Sequence, residues 1–62
     1  MKVRDLIKRI ENDGWRLRNT VGSQRQYVRP SKKGRVTIPG NMGYGVDIKT
    51  LGSILKQAGL KP

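Results

Sequence analysis

The chain contains no cysteine and no histidine. Lack of cysteine excludes disulfide staples, thiolate nucleophiles and sulfur metal ligands, and fits a reducing, cytoplasmic compartment. Lack of histidine removes the side chain whose ordinary pKa lies closest to neutrality. Ser23, Ser31 and Ser53 therefore have no imidazole base and read as turn, loop and helix residues. Carboxylates are scarce too. Asp5, Glu11, Asp13 and Asp47 are the only four, on or near helix ends, so neither a metal site nor a cofactor is expected. Only three aromatics occur, Trp15, Tyr27 and Tyr44. No apolar run approaches the roughly 20 residues of a membrane span. Arg4 and Asp5 interrupt the start before a targeting segment can form.

What the chain has in excess is positive charge. Fourteen Lys and Arg face four Asp and Glu, a net charge of +10. Such a field draws in polyanions and speeds their encounter, which makes nucleic acid the leading partner. A basic surface without a specific ligand is the plain alternative. An anionic membrane fits less well, because the cations are spread along the chain and not gathered on one helix. Sixty-two residues bury only about 60% of their unfolded surface, so one domain with one small core is expected over residues 1–62.

Hydrophobic period divides the chain into five elements. Val3, Leu6, Ile7 and Ile10 recur at helical spacing, predicting a first helix over about Val3 to Asp13, stopped by Gly14. From Trp15 the period falls to two. Trp15, Leu17, Asn19 and Val21 alternate with Arg16, Arg18 and Thr20, predicting a half-buried strand with a basic outer face. Gly22-Ser23 reads as a two-residue hairpin turn. Gln24 to Arg29 is the return strand, Ser31 to Gly34 a second turn, and Arg35 to Ile38 a third strand ended by Pro39. Val36 and Ile38 are assigned inward.

"PGNMGYGVD", residues 39–47, reads as an irregular loop that leaves Met42 and Tyr44 partly exposed. Its glycines do not fit a phosphate-binding P-loop. Leu51, Ile54, Leu55 and Ala58 mark a last helix, capped by Asp47 or Thr50 and ended by Gly59. Gly52 within it either permits a close approach to the sheet or is simply tolerated. The expected fold is α+β, in the order α-β-β-β-α. Both helices cover one face of an antiparallel sheet, because so few apolar residues cannot bury two faces. With Tyr27 inward, Arg25 and Arg29 share its side, while Gln24, Gln26 and Val28 face the open one.

The middle segment carries the chemistry. Arg16, Arg18, Arg25, Arg29, Lys32, Lys33 and Arg35 form a plausible phosphate-tracking surface. Trp15 and Tyr27 are read as core, so base stacking in the manner of an RNA-recognition motif is not favoured.

"LIKRIENDGWRLRNTVGS", "RQYVRP", "GRVTIPG" and "TLGSILKQAGL", in this order and spacing, resemble the HicA toxins, the RNA-cleaving partners of HicA–HicB toxin–antitoxin pairs. The resemblance covers nearly the whole chain. It implies a double-stranded-RNA-binding-domain-like fold, metal-independent cleavage of mRNA, and a HicB-like antitoxin that blocks the active site. It also implies a catalytic histidine directly after the Gly-Ser turn, a position held here by Gln24.

A carboxamide does not titrate near neutrality, although Gln24 carries a donor and an acceptor for a 2′-hydroxyl or phosphate. The expected protein is a toxin impaired at Gln24, with Gly22 and Ser23 shaping the turn. Arg25, Lys32, Lys33 and Arg35 are the expected phosphate contacts. A glutamine here arises by natural divergence or by deliberate inactivation. Other readings stay open: an RNA-binding module that never cleaved, a DNA-binding accessory protein, or a toxin in which Lys32, Lys33 or Tyr44 moves the proton.

Overall fold

The computed structural model of the chain describes residues 1–60. Helix α1 (Val3–Asn12) leads into β1 (Arg16–Val21), β2 (Gln24–Arg29) and β3 (Lys32–Ile38), and α2 (Ile48–Gln57) closes the order. The three strands form one antiparallel sheet in the order β1-β2-β3. This α-β-β-β-α arrangement with an open sheet matches the expected α+β, double-stranded-RNA-binding-domain-like fold.

The core forms where the helical stripes meet the inward positions of β2 and β3. Val3, Leu6, Ile7 and Ile10 of α1 join Trp15, Tyr27, Val36, Ile38, Ile54, Leu55 and Ala58, all buried. Leu51 and Leu60 pack against this cluster. The inward assignments of Tyr27, Val36 and Ile38 therefore hold.

Strand β1 departs from expectation. It is exposed along its whole length, with Leu17 52% and Val21 58% accessible. It forms one edge of the sheet, a β-bulge between Leu17 and Asn19 breaks its alternation, and α2 packs on the opposite edge strand, β3. Only Trp15, just before the strand, reaches the core.

The first turn is as expected. Val21 pairs with Gln24 around Gly22-Ser23, and only Gly22 takes a positive φ, +59°, as a type II′ hairpin turn requires. The second turn is shorter than expected. Arg29 pairs with Lys32, so Pro30-Ser31 is the turn and Lys32, Lys33 and Gly34 belong to β3. The register shifts between Tyr27 and Arg29, and Gly34 at φ +88° lies in the surplus stretch of β3, where a side chain would strain the backbone.

Lys32 is held there by distant partners. Its Nζ donates to Asp13 Oδ2 at 3.1 Å and to the Ala58 carbonyl at 2.9 Å, while Arg29 Nη1 donates to the same carboxylate oxygen at 2.6 Å. Asp13 thus ties the end of α1 to the β2–β3 hairpin, and Lys32 extends the tie to the end of α2. The Lys32 hydrogen bond, aided by Arg29 and opposed by partial desolvation, holds the Asp13 carboxyl below its ordinary pKa.

Gly52 makes no close approach to the sheet: a Cβ there would meet no heavy atom within 4 Å. Its helical conformation is one alanine adopts freely. Gly52→Ala should therefore stabilise the fold by about 1 kcal/mol, raising the thermal midpoint by roughly 4–8 °C in a domain of this size. A melt followed by circular dichroism checks it.

Candidate nucleic-acid interface

Gln24 is the first residue of β2 and is exposed directly after the turn. At the same end of the sheet β3 stops before Pro39, and α2 passes by after the loop. Gln24, Thr37 and Pro39 line one wall of an open cleft of about 340 Å³. Lys49, Thr50, Ser53, Ile54 and Gln57 of α2 line the other. Thr50, Ser53 and Gln57 recur three and four residues apart, which stacks them on one face of the helix. Two carboxamides, three hydroxyls and one ammonium thus converge. They offer donors to phosphate oxygens and acceptors to sugar hydroxyls, and Lys49 is the one ionisable side chain among the eight.

The sequence reading missed the α2 wall. The available signal is a second, polar stripe, Thr50, Ser53 and Gln57, running beside the apolar stripe of the same helix.

The cations of the middle segment divide into two groups. Four are drawn into holding the fold. Arg16 Nη1 donates to the Glu11 carbonyl at 3.0 Å and the Trp15 carbonyl at 2.9 Å, closing the end of α1. Arg25 lies on the helix-covered side, and its Nη1 donates to the Gly40 carbonyl at 2.6 Å, pinning the 39–47 loop to β2. Arg29 and Lys32 hold Asp13. The other three, Arg18, Lys33 and Arg35, are exposed, and Arg35 Nη1 donates to Gln26 Oε1 at 3.2 Å.

The expected site residues therefore do not form one cluster. Gly22, Ser23 and Gln24 sit at the cleft end. Lys32 lies opposite Arg29, five residues further along β2 from Gln24, or about 17 Å of extended chain. Lys33 follows Lys32 at that far end, and Arg35 lies further along β3, part of the way to the cleft.

An adjoining groove of about 180 Å³ shares Pro39, Thr50 and Ile54 with the cleft and adds Val3, Gly40, Tyr44, Gly45, Val46 and Asp47. Asp47 occupies the N-cap position of α2. No side-chain cap bond closes there, yet the nearby Thr50 hydroxyl and first-turn amides hold its carboxyl below the ordinary value.

The model of the family described as "HicA toxin of bacterial toxin-antitoxin" matches residues 3–60. The chain belongs to the HicA toxin family. No curated protein matches it significantly. HicA toxins pair with HicB antitoxins in toxin–antitoxin systems. Among the described residues no helix is long and apolar enough to cross a membrane, and no three His, Cys, Asp or Glu side chains gather to hold a metal ion.

Proposed function

We propose that this HicA chain is an mRNA-directed endoribonuclease by design whose metal-independent chemistry is impaired by Gln24. The observation that carries the reading is Gln24 itself, exposed after the Gly22-Ser23 turn and facing a cleft of hydroxyls, carboxamides and one ammonium. RNA supplies its own nucleophile. The 2′-hydroxyl attacks the adjacent phosphorus, its proton leaves to a base, the bond to the 5′-oxygen breaks, and that oxygen takes up a proton. The products are a 2′,3′-cyclic phosphate and a free 5′-hydroxyl.

Both proton transfers need a group that titrates near neutrality. The cleft lining supplies none: its carboxamides hold their protons, and its other polar side chains are three hydroxyls and one lysine. Lys49 instead adds positive charge where the pentacoordinate phosphorane gains negative charge. Gln24 retains a donor and an acceptor, so the strand can still be gripped. A HicB-like antitoxin would cover this end of the sheet, with an anionic surface that complements the cations.

The expected result is binding without cutting. Fluorescence anisotropy with a labelled single-stranded RNA should show saturable binding that weakens steeply as salt is raised, because phosphate contacts release counterions. The same RNA, kept with excess protein and EDTA, should stay intact on a denaturing gel. Failure to bind RNA, or rapid chelator-resistant cleavage with Gln24 in place, refutes the proposal. Tighter binding to duplex DNA than to RNA would favour the accessory-protein reading.

A further inference from the structure

The cleft at Gln24 offers a strand phosphate and sugar contacts but no aromatic ring on which a base could stack. We propose that Tyr44 supplies it: the Tyr44 ring stacks on a nucleobase of the RNA strand whose backbone crosses Gln24. The inference rests on the RNA reading above and adds a base-binding subsite to it.

Tyr44 is the one aromatic outside the core. Trp15 is fully buried and Tyr27 is 2% exposed, whereas Tyr44 is 61% exposed. Most of the Tyr44 ring is therefore left open to water, unlike the other two aromatics. Its backbone is not loose. The Val3 amide donates to the Tyr44 carbonyl at 2.8 Å, and the Tyr44 amide to Asn41 at 3.0 Å. Lys2 and Gly45 form a bridge next to it, and Arg25 fastens the loop at Gly40 from the sheet. The ring stands beside Gly40, where a Cβ would meet its Cδ2 at 3.7 Å. An exposed ring on a pinned backbone stacks a base with little ordering cost.

Its surroundings select a base over a phosphate. The groove containing Tyr44 is walled by Val3, Val46 and Ile54, and it opens into the Gln24 cleft through Pro39 and Thr50. Asp47 also lines this groove. Its carboxylate, held ionised, repels phosphate and leaves the flat, uncharged part of the nucleotide as the better occupant. On the other side of the shared wall Lys49 attracts the backbone. Adjoining sites of opposite preference, cationic for phosphate and aromatic for base, are what a single strand presents along its length.

The test measures affinity for a labelled eight-nucleotide single-stranded RNA with the full chain and its Tyr44 variants, each checked for native Trp15 fluorescence. Tyr44→Ala should weaken binding by about 5- to 150-fold, the range for loss of one stacked base. Its salt dependence should be unchanged, because no phosphate contact is lost. Tyr44→Phe, which keeps the ring, should bind within about twofold of the parent. With the parent chain, removing one base from the RNA should reproduce the loss at one position, and Tyr44→Ala should abolish that sensitivity.

Unchanged affinity in Tyr44→Ala overturns the inference while leaving the RNA reading intact. So does an equal loss in Tyr44→Phe, which would make the hydroxyl and not the ring the contact. If Tyr44→Ala spares RNA but weakens the antitoxin, the ring belongs to the protein interface. If the parent chain binds no RNA, the broader reading fails, and this one with it.

Discussion

Gln24→His gains RNA cleavage of about 10²- to 10⁴-fold over the parent chain in the presence of EDTA, the usual worth of a positioned general acid–base group. Gln24 is exposed, so the substitution disturbs no core contact and the stability should stay the same. An imidazole at this position reaches the same cleft as Lys49. The ammonium disfavours a second positive charge nearby, so the imidazole pKa should fall below its ordinary value near 6.5. If the imidazole acts as base, it works in its neutral form. Activity should then be weak below that pKa, rise as pH passes through it and level off above.

Initial rates on a fluorogenic RNA across pH 4.5–8 read the effect, with Gln24→Asn as a control that should gain nothing. Induction in a bacterial host should arrest growth with Gln24→His and spare it with the parent. No gain in rate and no arrest would remove the toxin chemistry from this position and leave a binding module. The antitoxin then becomes informative, because a partner that inhibits by covering the cleft should bind both forms about equally.

Much of the fold was legible because hydrophobic period reports which face of an element is buried. Val3, Leu6, Ile7 and Ile10 on α1, and Val36 and Ile38 on β3, follow directly from spacing. Period fails where burial depends on neighbours outside the segment. Leu17 and Val21 alternate as an inward face would, yet β1 is the edge strand opposite the one on which α2 packs. Lys32 looks like a turn residue until Asp13 and Ala58, 19 and 26 positions away, are found holding it in β3. The same long-range demand splits the cations. Composition counts Arg25 and Arg29 with Arg18 and Lys33, but only the folded chain shows the first two engaged by Gly40 and Asp13. The α2 wall of the cleft was hidden for a related reason: it is polar, and its apposition to Gln24 joins segments more than 20 residues apart.

Trp15→Ala should abolish folding, and with it every function of the cleft. Trp15 is fully buried at the point where α1 hands over to β1, its backbone amide donating to the Ile10 carbonyl at 3.1 Å. Truncating a buried tryptophan to alanine costs about 3–5 kcal/mol. Stabilities of roughly 0.05–0.15 kcal/mol per residue imply about 3–9 kcal/mol in total for a chain this short. The loss is therefore comparable to the whole stability, and the variant should show an unfolded circular dichroism spectrum at 25 °C.

Trp15→Phe separates the parts of that loss. The indole Nε1 is buried without a hydrogen-bond partner, and leaving such a donor unsatisfied costs about 1–3 kcal/mol. Phenylalanine discards the orphan donor while keeping most of the apolar volume. Its net cost should be well under that of alanine, and urea unfolding should remain cooperative. If Trp15→Phe is as damaging as Trp15→Ala, the full indole volume, and not merely an apolar ring, is what the core requires. Because Ile54, Leu55 and Ala58 of α2 share this core, a folded Trp15→Phe keeps the helix against β3 and should still bind RNA. Trp15→Ala lets the helix go, and Lys49, Thr50, Ser53 and Gln57 no longer face Gln24.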